Sequence, residues 1–141
     1  MQIKLFPGAK WPTRSNPTDA GLDLYVLLDT YMIRGHRTLV ETGVYTKIPV
    51  GHVGLLVPRS SLSKLDITMT NSIGIIDSDY RGQLLASLMY MGHEEGIWLK
   101  SGEKIVQLVI VPILLPSLEL GDEATWNDTA RGEGGFGSTG R

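Results

Sequence analysis

The strongest constraint on this 141-residue chain is a series of short apolar runs, each closed by Gly, Pro, Asn or Asp before it reaches helix length. They fall at 22–26 (LDLYV), 38–48 (TLVETGVYTKI), 53–57 (VGLLV), 73–76 (IGII), 84–91 (LLASLMYM) and 104–111 (KIVQLVIV). Turn residues punctuate them about every 8–12 residues, the pattern of strands. Only SSLSKL at 60–65 could begin a helix, of about two turns at most. The expected fold class is therefore all-β, a sandwich or barrel. Its length suits one domain with one core, over residues 1–130. Glycine supplies 17 of the 141 residues, well above an average of about 7%, so tight turns or close backbone approaches are expected. The most apolar run, IVQLVIVPILL at 105–115, is shorter than the ~20 residues of a membrane-spanning helix. It should be a doubly buried strand or a strand at a subunit interface. MQIKLFPGAK at the start carries no apolar stretch of signal-peptide length. With no cysteine in the chain, a cytoplasmic location away from membranes is expected.

A net charge of −2 argues against non-specific nucleic-acid binding, which needs a basic face. It leaves room for a phosphate ligand if Arg side chains and backbone N–H groups gather locally. Several weaker patterns mislead. Gly132, Gly134 and Gly137 spell G-x-G-x-x-G, but the chain stops four residues later, with no helix for a dinucleotide fold to open. His36, His52 and His93 show no metal-ligand spacing. There is no G-x-S-x-G elbow for a serine triad, and the Asn127-Asp128-Thr129 sequon has no secretory context.

Four polar clusters interrupt the strands more than a β scaffold requires. Pro58-Arg59-Ser60-Ser61 follows an apolar run, and an Arg with two hydroxyls at a strand end suits phosphate oxygens. A solvated turn with a Ser helix cap would explain it as well. Residues 71–82 read as strand, polar turn and strand, a hairpin with Asp77 near its mouth. A carboxylate there, beside Tyr80, can orient or deprotonate a water. Asp79, two residues on, could share that work, although Asp and Ser are also ordinary turn residues. Gln107 sits inside an apolar strand and must find a partner in the fold or in a ligand. Residues 131–141 contain five glycines with Arg131, Phe136, Ser138 and Thr139 among them. Such a segment is either a disordered tail or a ligand-ordered one, wrapping phosphate with backbone N–H groups and stacking Phe136 on a flat ring.

Taken in order, DAGLDL (19–24), PRSSL (58–62), NSIGIIDSDYRGQL (71–84), GEKIVQL (102–108) and RGEGGFGSTG (131–140) resemble the five motifs of the homotrimeric dUTP pyrophosphatases. The resemblance implies a dUTPase-like β-barrel or jelly-roll-type sandwich. It also implies a trimer whose three active sites draw on several subunits, each closed by the Gly-rich arm at 131–141. The implied activity is hydrolysis of dUTP to dUMP and pyrophosphate, Mg2+-dependent, keeping uracil out of DNA and supplying dUMP. Asp77 would activate the water, with Ser60 and Gln107 beside it in the catalytic set. Asn71 and the backbone of Ile75, Ile76 and Leu85 would read the uracil edge, and Tyr80 would pack on the deoxyribose. Arg59, Ser60, Ser61 and Gln107 would contact the phosphates, with Arg131, Gly137, Ser138 and Thr139 at the γ end and Phe136 over the uracil. Phosphate oxygens and water would hold the Mg2+, with Asp23 in an indirect supporting role.

This chain departs from the family pattern in places. Val106 stands where Ala is usual, Asp66 where Gly is common and Trp126 where Leu is typical. Two alternatives share the scaffold: a dCTP deaminase, and a non-enzymatic or moonlighting regulator.

Overall fold

The computed structural model describes residues 1–126, 129–130 and 132–134. Ten strands make up almost all of its regular structure: β1 (Gln2–Leu5), β2 (Leu22–Tyr25), β3 (Thr30–Ile33), β4 (Arg37–Lys47), β5 (His52–Pro58), β6 (Ile67–Met69), β7 (Gly74–Ile76), β8 (Gln83–Tyr90), β9 (Gly96–Leu99) and β10 (Lys104–Pro112). A 3-10 helix at Ser60–Leu65 is the one helical segment among the described residues. All six expected strands are present within a residue or two. The strands the sequence hid, β1, β3, β6 and β9, have four residues or fewer.

The architecture is an all-β sandwich of jelly-roll type. One sheet has the order β1-β4-β8-β6, the other β2-β10-β5-β7, and β3 pairs with β9 in a separate ribbon. Alternation along β8 sends Leu84, Ala86, Leu88 and Tyr90 inward. They meet Leu24, Leu56, Ile105, Val106 and Leu108 from the opposite sheet in one apolar cluster. A fully buried leucine of this kind contributes roughly 1.5–3 kcal/mol relative to exposure.

Two local departures from regular pairing shape the site. In β10 the register with β2 shifts between Lys104 and Val106, so consecutive residues Ile105 and Val106 both face the core. In β4 the register with β8 shifts between Glu41 and Tyr45. An isolated glycine within a strand, here Gly43, is the sequence trace of such a bulge.

The apolar run at 105–115 meets its expectation only in part. Ile105, Val106 and Leu108 are buried, whereas Val109 to Val111 are half-buried within this chain. Beyond β10 the chain carries Leu114, Leu115, Leu118 and Leu120 in the open, each at least 74% exposed. Asp66 closes the 3-10 helix with φ 53, the left-handed region that favours glycine and that Asp tolerates better than most side chains. No helix among the described residues is long and apolar enough to cross a membrane.

Candidate active site

The site residues gather around two cavities. The first, about 270 Å3, lies between the loop that precedes β2, the entry to the 3-10 helix, and β10. Asp23 is its anchor. The pairing of β2 with β10 sets Asp23 opposite Gln107, and Thr13 exchanges two backbone hydrogen bonds with Asp23. The Asp23 carboxylate is nearly buried and binds two cations: Arg59 Nε lies 2.8 Å from Oδ1, and Lys104 Nζ 2.8 Å from Oδ2. Two cations share the one carboxylate, and a second carboxylate, Asp19, also lines the cavity. Arg59 spends only Nε on this bond among the described residues, so its terminal nitrogens are free to fork onto an anion.

Gln107 donates from Nε2 to the Pro58 carbonyl at 3.3 Å, which supplies the partner its apolar strand demanded. Its amide lies directly over Gly21, where any side chain would overlap Oε1. Ser60 is exposed at the cavity rim and Ser61 is half-buried behind it. The Ser cap suggested by the sequence is absent. Arg59 occupies the N-cap in extended conformation with no side-chain cap bond, since a guanidinium has only donors and no acceptor for the first N–H groups.

The second cavity, about 290 Å3, is a wedge between β7 and the start of β8, floored by Leu56. Residues 71–82 do not form the expected hairpin. β7 gives its ladder bonds to β5 and β8 gives its own to β4, in different sheets. Paired strands would leave no gap between them, whereas these diverge. β7 is the edge of its sheet, so its outer backbone groups face the wedge without a ladder partner among the described residues.

Asn71, Ile75, Ile76, Tyr80 and Leu85 all line this wedge. Asn71 is held by a tight turn in which Ile73 N–H donates to its carbonyl at 2.5 Å. Ser72, at the centre of that turn, has φ 58, a conformation rare for a residue with a side chain. Tyr80 folds back over Gly82, which must lack a side chain for the ring to fit, and its hydroxyl donates to the Gln83 carbonyl at 3.1 Å.

Asp77 lines neither cavity. It follows β7 directly and is exposed. Its carbonyl accepts the Tyr80 N–H, closing the turn, and its carboxylate has no hydrogen bond or ion pair among the described residues. Arg131, Phe136, Gly137, Ser138 and Thr139 lie outside the described residues. Among those described, no three His, Cys, Asp or Glu side chains come together as a metal site. His36 and His52 face carbonyls two residues before them.

A sequence profile of the dUTPase family matches residues 8–140, nearly the whole chain. The chain belongs to the dUTPase family. Among curated relatives, the deoxyuridine 5'-triphosphate nucleotidohydrolase of Corynebacterium jeikeium is 44% identical, over 92% of this chain and 84% of its own length. That of Mycobacterium marinum is 42% identical, over 98% of this chain and 92% of its own. In three dimensions, a variant of the Staphylococcus phage 80alpha dUTPase superposes with a TM-score of 0.86 at 30% identity, covering 97% of this chain and 96% of that one. The Streptococcus mutans dUTPase superposes at 0.76 with 33% identity, covering 83% and 99%. A related structure, from phage phi11 of S. aureus, describes the coordination of a structural Mg(II) ion at 27% identity and a TM-score of 0.79.

For a dUTPase-family chain, the cavities explain several positions that motif reading passed over. Gly21 makes room for Gln107, and Lys104 shares the Asp23 carboxylate with Arg59. Gln83 joins the wedge lining. Of the departures from the family pattern, Val106 is fully buried and Trp126 is exposed.

Proposed function

We propose that this dUTPase-family chain hydrolyses dUTP to dUMP and pyrophosphate, and that the wedge between β7 and β8 selects the substrate. The observation that carries this reading is the wedge itself, bounded on one side by the outer edge of β7, which has no ladder partner among the described residues. Fixed backbone donors and acceptors match the O4 and N3–H of uracil and mismatch the amino group and bare N3 of cytosine. Unmet polar groups in such a site discriminate by roughly 10⁴–10⁵-fold. The narrow gap excludes the thymine methyl, and the Tyr80 ring, held by its hydroxyl, lies against the deoxyribose and clashes with a 2′-OH.

Asp77 accepts a proton from the attacking water as the water oxygen bonds to the α-phosphorus. The bond from that phosphorus to the bridging oxygen breaks, and pyrophosphate leaves. General-base catalysis supplies about 10²–10⁴-fold, so positioning and charge stabilisation provide most of the acceleration. Arg59, Ser60, Ser61 and Gln107 contact the phosphate chain. Asp23 acts indirectly, since both its oxygens are committed to Arg59 and Lys104. That commitment fits a Mg2+ that enters with the phosphates and is held by their oxygens and water. When bound, the ion neutralises charge building on the phosphates.

The proposed assembly is a homotrimer with shared sites. Within one chain the two cavities have no lining residue in common, and the exposed leucines after β10 need a partner surface. The tail residues Arg131, Gly137, Ser138 and Thr139, with Phe136 over the base, would then reach a neighbour's site as a closing arm. Domain 1–130 plus this arm, acting in the cytoplasm on a free nucleotide, completes the reading.

Pyrophosphate release with Mg2+, measured for dUTP, dCTP, dTTP and UTP, tests it. Turnover should be confined to dUTP. Comparable turnover of dTTP or UTP would overturn the wedge as selector, and deamination of dCTP would replace the reaction altogether.

A further inference from the structure

β4 and β8 pair in register from Arg37 opposite Met89 to Glu41 opposite Leu85, and again at Tyr45 opposite Gln83. Between those points Thr42, Gly43 and Val44 face Leu84 alone. Extra residues in a ladder leave backbone groups unpaired, and here two side chains take them up. The Thr42 hydroxyl donates to the Leu84 carbonyl at 2.6 Å, and the Val44 N–H donates back to that hydroxyl at 3.2 Å. The Gly43 N–H donates to Gln83 Oε1 at 3.0 Å. Thr42 is 1% exposed, so its hydroxyl is a committed structural donor. Gly43 has φ 68, and a side chain there would strike Ala9 and Leu27, so the bulge has no slack.

This clasp fixes two consecutive residues at the mouth of the wedge. Gln83 and Leu84 both line it, and the Gln83 carbonyl is what holds the Tyr80 hydroxyl. One residue thus ties the bulge in β4 to the ring that faces the sugar.

We propose that Thr42 and Gln83 are positioning residues for sugar discrimination: the bulge in β4 sets the height of β8 in the wedge and, through the Gln83 carbonyl, the tilt of the Tyr80 ring. The proposal rests on the reading of the wedge as the nucleoside site. Its chemistry is specific, because among the described residues the Gln83 side chain serves only as an acceptor. A carboxylate can accept the same N–H; a thioether of similar length accepts it poorly.

The test is steady-state kcat and KM for dUTP and UTP, with Mg2+, on the full chain and on Gln83→Met, Gln83→Glu, Thr42→Val and Thr42→Ser, with Tm recorded for each. Gln83→Met should lower the dUTP-over-UTP ratio of kcat/KM by about tenfold, since sub-ångström to ångström misplacement in a site costs up to about 10²-fold. The loss should fall mainly on KM for dUTP, and Gln83→Glu should restore the ratio. Thr42→Val and Thr42→Ser should behave as the corresponding pair. Combining Gln83→Met with Tyr80→Phe should cost less selectivity than the two singles together, because both act on one ring. A Gln83→Met variant with lowered Tm but unchanged ratio would make the clasp purely structural and overturn the proposal, whatever Thr42→Val does. A wild-type chain that does not prefer dUTP would instead remove the wedge reading, and this proposal with it.

Discussion

The two cavities have nearly the same volume, about 270 and 290 Å3, and are built by opposite means. The Asp23 cavity is made by side chains: the Asp19 and Asp23 carboxylates, the Arg59 guanidinium and an amide laid over a glycine. The wedge is made by backbone, from the edge of β7 and the bulge-held start of β8. A phosphate chain carries charge that flexible cations can follow. A base edge presents donors and acceptors at fixed spacing, which a rigid backbone matches better. The difference implies that truncating the Arg59 side chain should harm the first cavity, whereas truncating a side chain of the β7 edge should spare the second.

Asp77 belongs to neither cavity and should show the largest effect. Asp77→Asn is expected to lower kcat by about 10²–10⁴-fold while dUTP binding persists, checked by single-turnover kinetics beside equilibrium titration. Near-normal turnover would remove it as the base.

Arg59→Ala comes next. Loss of a hydrogen bond to a charged group costs about 1.5–3 kcal/mol, or about 10- to 150-fold in kcat/KM for dUTP. An effect below twofold would mean that Arg59 serves Asp23 and not the ligand.

Ile75→Ala should be mild despite its place in the wedge. The Ile75 side chain is 61% exposed and the proposed contact is its backbone, so kcat/KM should change by less than about threefold, in line with ordinary surface substitutions. A large loss would show that the wedge reads with side chains after all.

The smallest effect is expected far from both cavities. The Asp29 carboxyl is held below the usual carboxylate range, first by the Ser101 N–H and then by Lys100. A lowered folded pKa means that its stabilising contribution is full above the ordinary carboxylate value and fades as pH falls through the folded value. The stability advantage of wild type over Asp29→Asn should therefore shrink in acid, read from urea midpoints, while dUTP turnover stays level.

Much of the architecture was legible because half-buried strands write an alternation into sequence. β8 shows it from Leu84 to Tyr90, and the six longer runs all became strands. β6, with three residues and the polar Thr68 at its centre, formed no apolar run. The separation of β7 from β8 was hidden for a different reason. Strand, polar turn and strand look alike whether the second strand folds back on the first or crosses to another sheet, since pairing partners lie far off in sequence. Asp23 was singled out by its motif, but its double ion pair with Arg59 and Lys104 depends on pairing β2 with β10 across some eighty intervening positions.

Residue type and order along the chain determined the strand content, the motif set and the chemistry available: a carboxylate at Asp77, cations at Arg59 and Lys104, and an amide at Gln107. Those are local properties, readable one residue at a time. Tertiary structure alone decided that β7 and β8 part to leave a wedge, that the Gln107 amide lies over Gly21, and that Thr42 and Gln83 lock the bulge in β4. Each of these arises where distant backbones meet, and the geometry of that meeting is set by the packing of the whole core.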